Sequence, residues 1–168
     1  MVKIEPNTNA SLLYHVIKLA DTWRKNGDRL TEQYGITTQQ WIILLFLAND
    51  PNIIYLQQNP KPKPMMAMEL AQALQVSRAN ITNMINVLLA KKLILQLEDE
   101  EDRRCKRLQL SAEGAAVVSA LEPVRQKNNE KQFACFSEEE KLSFIKFIST
   151  CLQTMKVHED SGWIGQAD

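Results

Sequence analysis

Residues 67–110 read AMELAQALQVSRANITNMINVLLAKKLILQLEDEEDRRCKRLQL, and the spacing of their apolar residues decides the fold. Leu70, Ala71 and Leu74 recur every three to four residues, so Ala67 to Leu74 is predicted to be a short helix with these three inward. Gln75 and Val76 then make a tight turn, and the Ser77 hydroxyl caps a second helix running to about Lys92. In that helix Ile81, Ile85, Leu88 and Leu89 form the buried stripe, while Arg78, Asn80, Thr82, Asn83 and Asn86 project elsewhere. The period then changes. Leu93 to Leu97 and Cys105 to Leu110 read as strands of a hairpin whose charged tip carries Glu98 to Arg104.

The flanks read as helical. Between Ser11 and about Glu32, Leu12, Leu13, Val16, Ile17, Leu19, Ala20 and Trp23 trace an amphipathic helix that Gly35 ends. Thr37 or Thr38 caps a helix from Gln39 to Ala48 that is apolar nearly all round and belongs in the core. Asn49 to Pro64 carries four prolines and reads as an exposed connector, with Ile53 to Leu56 able to form a short helical turn or strand. After the hairpin, Ser111 caps a helix that Pro123 bends or interrupts before the polar run Arg125 to Gln132. Ser137 and Glu140 make a capping box for a last helix. Its apolar residues, among them Leu142, Ile145, Phe147, Leu152 and Met155, occupy more than one face, so one face packs inside and another needs a partner.

The fold class is therefore mainly α with a small β-hairpin, one unit over residues 1–168. Helix, turn, helix and charged hairpin in succession is the order of a winged helix-turn-helix, in which the second helix enters the major groove of duplex DNA and the hairpin reaches the backbone or minor groove. Arg78 is suited to a phosphate or a guanine edge, Asn80 and Asn83 to adenine edges, and Thr82 to a phosphate through its hydroxyl or to thymine through its methyl. Lys plus Arg equal Asp plus Glu at 20 each, so no global field draws the chain to nucleic acid. Locally the balance differs: from Ser77 to Arg107 there are seven basic residues, Lys106 among them, against five acidic ones confined to Glu98 to Asp102.

Other classes find little support. The three cysteines, Cys105, Cys135 and Cys151, show no Cys-x-x-Cys spacing, and with only His15 and His158 as imidazoles neither a disulfide framework nor a metal site is expected. No phosphate loop or paired metal ligands support an enzyme, and no cofactor is expected. Without a leader-like start or an apolar run approaching the roughly 18 residues of a membrane span, the expectation is a soluble, cytoplasmic protein with no membrane partner.

The segments 37–44, 69–77, 81–85 and above all Asp102 to Gly114 resemble the multiple-antibiotic-resistance regulator (MarR) family over about Leu12 to Met155. The resemblance implies a winged-helix lobe at 37–110 and dimerisation helices at 9–35 and 111–158. It implies a minor-groove contact at Arg104, beside Arg103, with Asp102 bracing the wing. The expected function is sequence-specific regulation, as a homodimeric repressor on a palindromic operator with half-sites about 34 Å apart. A small aromatic effector between the dimerisation helices and the lobe would release it, which marks Tyr14, His15, Trp23, Tyr34 and Trp41. The alternative is a winged helix used for architecture or protein contacts. The chain departs from the family pattern at Asn83, Asn86, Lys92 and Gln96; Asn86 and Gln96 are expected to pair as an uncharged helix-to-wing brace. Basic neighbours around Cys105 are expected to lower its thiol pKa and make it a redox candidate, while Cys135 and Cys151 are expected to pack on helices.

Overall fold

Thr37, Ser77, Ser111 and Ser137 each stand at a helix start in the computed structural model, with the side-chain oxygen accepting the amide three residues on. Each such cap contributes about 1 kcal/mol by satisfying a helix amide that has no intrahelical partner. The structure describes residues 5–58, 64–99, 102 and 105–160, with side chains to residue 155. The chain forms two units, Met1–Glu122 and Pro123–Asp168.

In the first unit α1 spans Thr8–Thr31, and a single 3₁₀ turn, Glu32–Tyr34, follows it. Gly35 at φ +62° turns the chain toward α2, Thr38–Leu47. A short helix α3, Ile54–Gln58, takes the alternative left open for the proline-rich connector. The helix pair is α4, Ala67–Leu74, and α5, Arg78–Ala90. The hairpin is β2, Ile94–Glu98, with β3, Lys106–Leu110. An additional two-residue strand, β1 at Met65–Met66, makes a sheet of order β1-β3-β2. Its register pairs Leu108 with both Met65 and Gln96, which puts Leu108 at the sheet centre, where it is buried.

The core gathers Ile43 and Leu44 of α2, Leu70 of α4, Ile81 and Leu88 of α5, Ile94 of β2 and Leu108 of β3. Each apolar side chain removed from water here contributes about 1.5 to 3 kcal/mol. α6, Ala112–Phe133, starts against the wing: a Cβ at Gly114 would overlap the Leu93 carbonyl oxygen, so only glycine permits that approach. The helix continues through Pro123 instead of stopping there. The second unit contains α7, Glu138–Asp160, opened by the expected capping box, with Ser137 N donating to Glu140 at 2.8 Å. Leu142, Ile145, Phe147 and Leu152 of α7 are exposed; Cys135, in the turn between α6 and α7, and Cys151 on α7 are exposed too, which corrects the expectation that both pack on helices. No helix among the described residues is long and apolar enough to cross a membrane.

Candidate nucleic-acid interface

The buried stripe of α5 is Ile81, Met84, Ile85 and Leu88, with Leu89 half-buried. This fixes the rotation of the helix and leaves Ser77, Arg78, Asn80, Thr82, Asn83 and Asn86 exposed. The turn before it depends on Gln75 at φ +53°, a left-handed residue that redirects the chain between α4 and α5. Ser77 caps the helix through Asn80 N at 3.2 Å. The Thr82 hydroxyl donates to the Arg78 carbonyl at 2.7 Å, and the Arg78 guanidinium reaches Met68 Sδ on α4 at 3.7 Å.

The wing is braced by a pair that sequence reasoning missed. Asp99, 6% exposed, forms an ion pair with Arg107 Nε across the hairpin. Arg107 Nη1 also donates to the Pro64 carbonyl at 3.0 Å, which ties the wing to the end of the long connector. The second oxygen of Asp99 accepts Asp102 N at 2.9 Å. Asp102 thus lies within the braced turn, where its carbonyl accepts Cys105 N at 2.8 Å. The signal available in sequence was an acid and a base flanking a hairpin, but their pairing needs the register. Lys106 pairs with Glu98 at 2.9 Å, both exposed. Such an exposed pair is weak and yields readily to a phosphate. Arg103 and Arg104 lie outside the described residues.

Two expectations are corrected. No hydrogen bond among the described residues joins Asn86 to Gln96, and both are exposed. The Cys105 thiol is pushed up, not down: loss of solvent is the largest cause, followed by the Asp102 carboxylate, which also accepts from Sγ at 3.7 Å. Arg107 opposes these effects without overcoming them, so the thiolate argument for redox sensing loses its basis.

The five aromatic candidates occupy different environments. Tyr14 is 65% exposed on α1, edge-on to His15 with ring centroids 6.3 Å apart. His15 Nδ1 donates to the Ser11 carbonyl at 2.7 Å. Trp23 is half-buried, and Tyr34 packs half-buried against the core. Trp41 is 7% exposed, and its indole N–H has no hydrogen-bond partner among the described residues.

Residues 34–104 match the MarR family. BadR of Rhodopseudomonas palustris, a transcriptional activatory protein, is 30% identical over 110 residues, 66% of this chain and 58% of its own length. YpoP of Bacillus subtilis, an HTH-type transcriptional regulator, is 28% identical over 86 residues, 51% of this chain and 61% of its own length. The chain thus spans about three fifths of the length of these curated relatives. The S. aureus MepR–DNA complex has a similar fold with a TM-score of 0.73 at 22% identity, covering 89% of this chain and 99% of that one. BldR from Sulfolobus solfataricus gives 0.70 at 19% identity, covering 92% and 99%.

Proposed function

We propose that this chain, whose residues 34–104 match the MarR family, is a winged-helix transcriptional regulator that binds a palindromic DNA operator as a homodimer under the control of a small aromatic ligand. The observation that carries this reading is the exposed face of α5, polar and without a carboxylate, set beside an ion-paired wing. In this arrangement α5 of each subunit enters a major groove, and the wing carries Arg103 and Arg104 to the backbone and the flanking minor groove. Lys106, free to exchange Glu98 for a phosphate, adds sequence-independent affinity.

A homodimer is supported by the apolar residues left exposed on α1, Leu12, Leu13, Val16 and Ile17, and on α7, Leu142, Ile145 and Phe147. Isolated elements with such faces require a partner, and a second copy supplies identical ones. Ligand control is supported by the unpartnered Trp41 donor, which a ligand carbonyl, carboxylate or phenol oxygen would satisfy. In this reading dimerisation draws on residues 9–35 and 111–158 and DNA binding on 37–110, so ligand binding near Trp41 acts on the junction of the two. The sign of control has two readings. Repression follows when the operator overlaps a promoter; activation is favoured by the name of BadR and follows when the operator lies upstream.

The test is selection from random duplex DNA, comparing the wild type with Arg104→Ala. Enrichment of a palindrome, with affinity reduced by roughly 1 to 3 kcal/mol in the variant, is expected. An absence of any enriched sequence would favour the architectural or protein-contact alternative, because a specific regulator exceeds its own nonspecific affinity by at least about a thousandfold.

A further inference from the structure

We propose that Thr82 is a specificity-determining residue that reads the 5-methyl group of a pyrimidine in the major groove through its own Cγ2 methyl, not through its hydroxyl. The inference rests on the DNA-binding reading and deepens it. A threonine hydroxyl has one proton, and here that proton is donated to the Arg78 carbonyl at 2.7 Å. Phosphate oxygens are acceptors, so a phosphate contact would have to break this bond first. The same bond turns Oγ1 back toward the preceding turn of α5 and fixes χ1, leaving the methyl as the branch available on an exposed residue.

The surroundings favour an A·T pair. Ala79, three residues before Thr82, and Asn86, four after it, are its neighbours on the helix surface, and with Asn83 they are exposed and uncharged. Ala79 adds a second methyl, and the asparagine carboxamides offer the donor and acceptor that match the adenine edge opposite thymine. Arg78, one turn earlier, leans onto Met68 Sδ of α4. The chemistry recognised is a 5-methyl pyrimidine, which in a duplex is thymine or 5-methylcytosine.

The experiment uses the full chain, the duplex it selects, and two variants of opposite character. Thr82→Val keeps a methyl and loses the hydroxyl; Thr82→Ser keeps the hydroxyl and loses the methyl. The valine variant is expected to bind within twofold of the wild type. The serine variant is expected to lose about 4-fold at one half-site and about 15-fold at two, the value of one buried methyl group each. Replacing thymine by uracil at one half-site position should reproduce the serine loss in the wild type and add nothing in the serine variant. Restoring the methyl as 5-methylcytosine at that position tells whether the methyl or the A·T pair is read: recovery relative to cytosine supports methyl contact. Retained binding by Thr82→Ser with loss in Thr82→Val, or indifference to uracil at every position, overturns the assignment, with circular dichroism confirming that both variants are helical. A wild-type protein that selects no duplex overturns the DNA-binding reading itself, a result separate from binding that ignores methyl groups.

Discussion

Lys92 stands at φ +58°, with its amide bonded to the Leu89 carbonyl and the Leu93 amide to the Leu88 carbonyl. This is the motif in which glycine usually closes a helix, because a Cβ in the left-handed region crowds the following carbonyl. The cost of about 1 to 2 kcal/mol exceeds the entropy that glycine would lose on folding, so Lys92→Gly is expected to stabilise the protein by about 0.5 to 1 kcal/mol. Thermal unfolding of the two proteins at equal concentration checks this, and a lower midpoint in the glycine variant would contradict it. Single residues also show the reach of sequence. Ser77, Ser111 and the pair Ser137 and Glu140 were legible as caps because a cap is a local event completed within four residues. The acidity of Cys105 was misread for the same reason. Neighbours along the chain are basic, whereas the group that the thiol meets in space is the Asp102 carboxylate.

Elements are joined by contacts of greater span, and two of these joints carry charge. Asp28 near the end of α1 accepts the Thr38 amide at 2.7 Å and the Thr38 hydroxyl at 2.8 Å, so a carboxylate sits at the N-terminus of α2. The Thr38 backbone bond is the largest influence on its pKa and lowers it below 3.8; the Thr38 hydroxyl and Arg24 act in the same direction, against burial. A depressed carboxylate pKa stabilises the fold fully above the unfolded value, and that stabilisation is lost as pH falls through the folded value. Chemical unfolding measured from pH 6 down to 2 should show an acid-dependent loss that Asp28→Asn reduces, and an unchanged slope would remove Asp28 from the account. The hairpin could be placed from its period of two, and the helices from their apolar spacing. β1 could not, since two methionines carry no period, and the Asp99 to Arg107 pair requires the β2 and β3 register that pairs Glu98 with Lys106. For α6 the sequence left bending and interruption at Pro123 both open; the helix runs through it, since one internal proline removes a single amide donor and crowds one carbonyl, a local cost that 22 helical residues can absorb.

At the scale of the whole molecule the apolar faces of α1 and α7 define the next test. Leu142 is 67% and Phe147 66% exposed, so replacing both by glutamate leaves the folded chain little altered while placing charge on the proposed dimer surface. Sedimentation is expected to show a dimer for the wild type and a monomer for the double variant; a wild-type monomer at micromolar concentration would count against the dimer. In the proposed regulator, selectivity for DNA would depend on a local surface, because the chain has a formal net charge of zero.

In the proposed complex the Asp99 to Arg107 pair also limits how many counterions are set free from the duplex. Arg107 keeps its protein carboxylate and its bond to the Pro64 carbonyl, so in the proposed complex it neutralises no phosphate and releases no counterion from the DNA. The affinity of the complex therefore varies with ionic strength less steeply than a tally of arginines in the wing implies, and a larger share of the binding free energy persists at high salt.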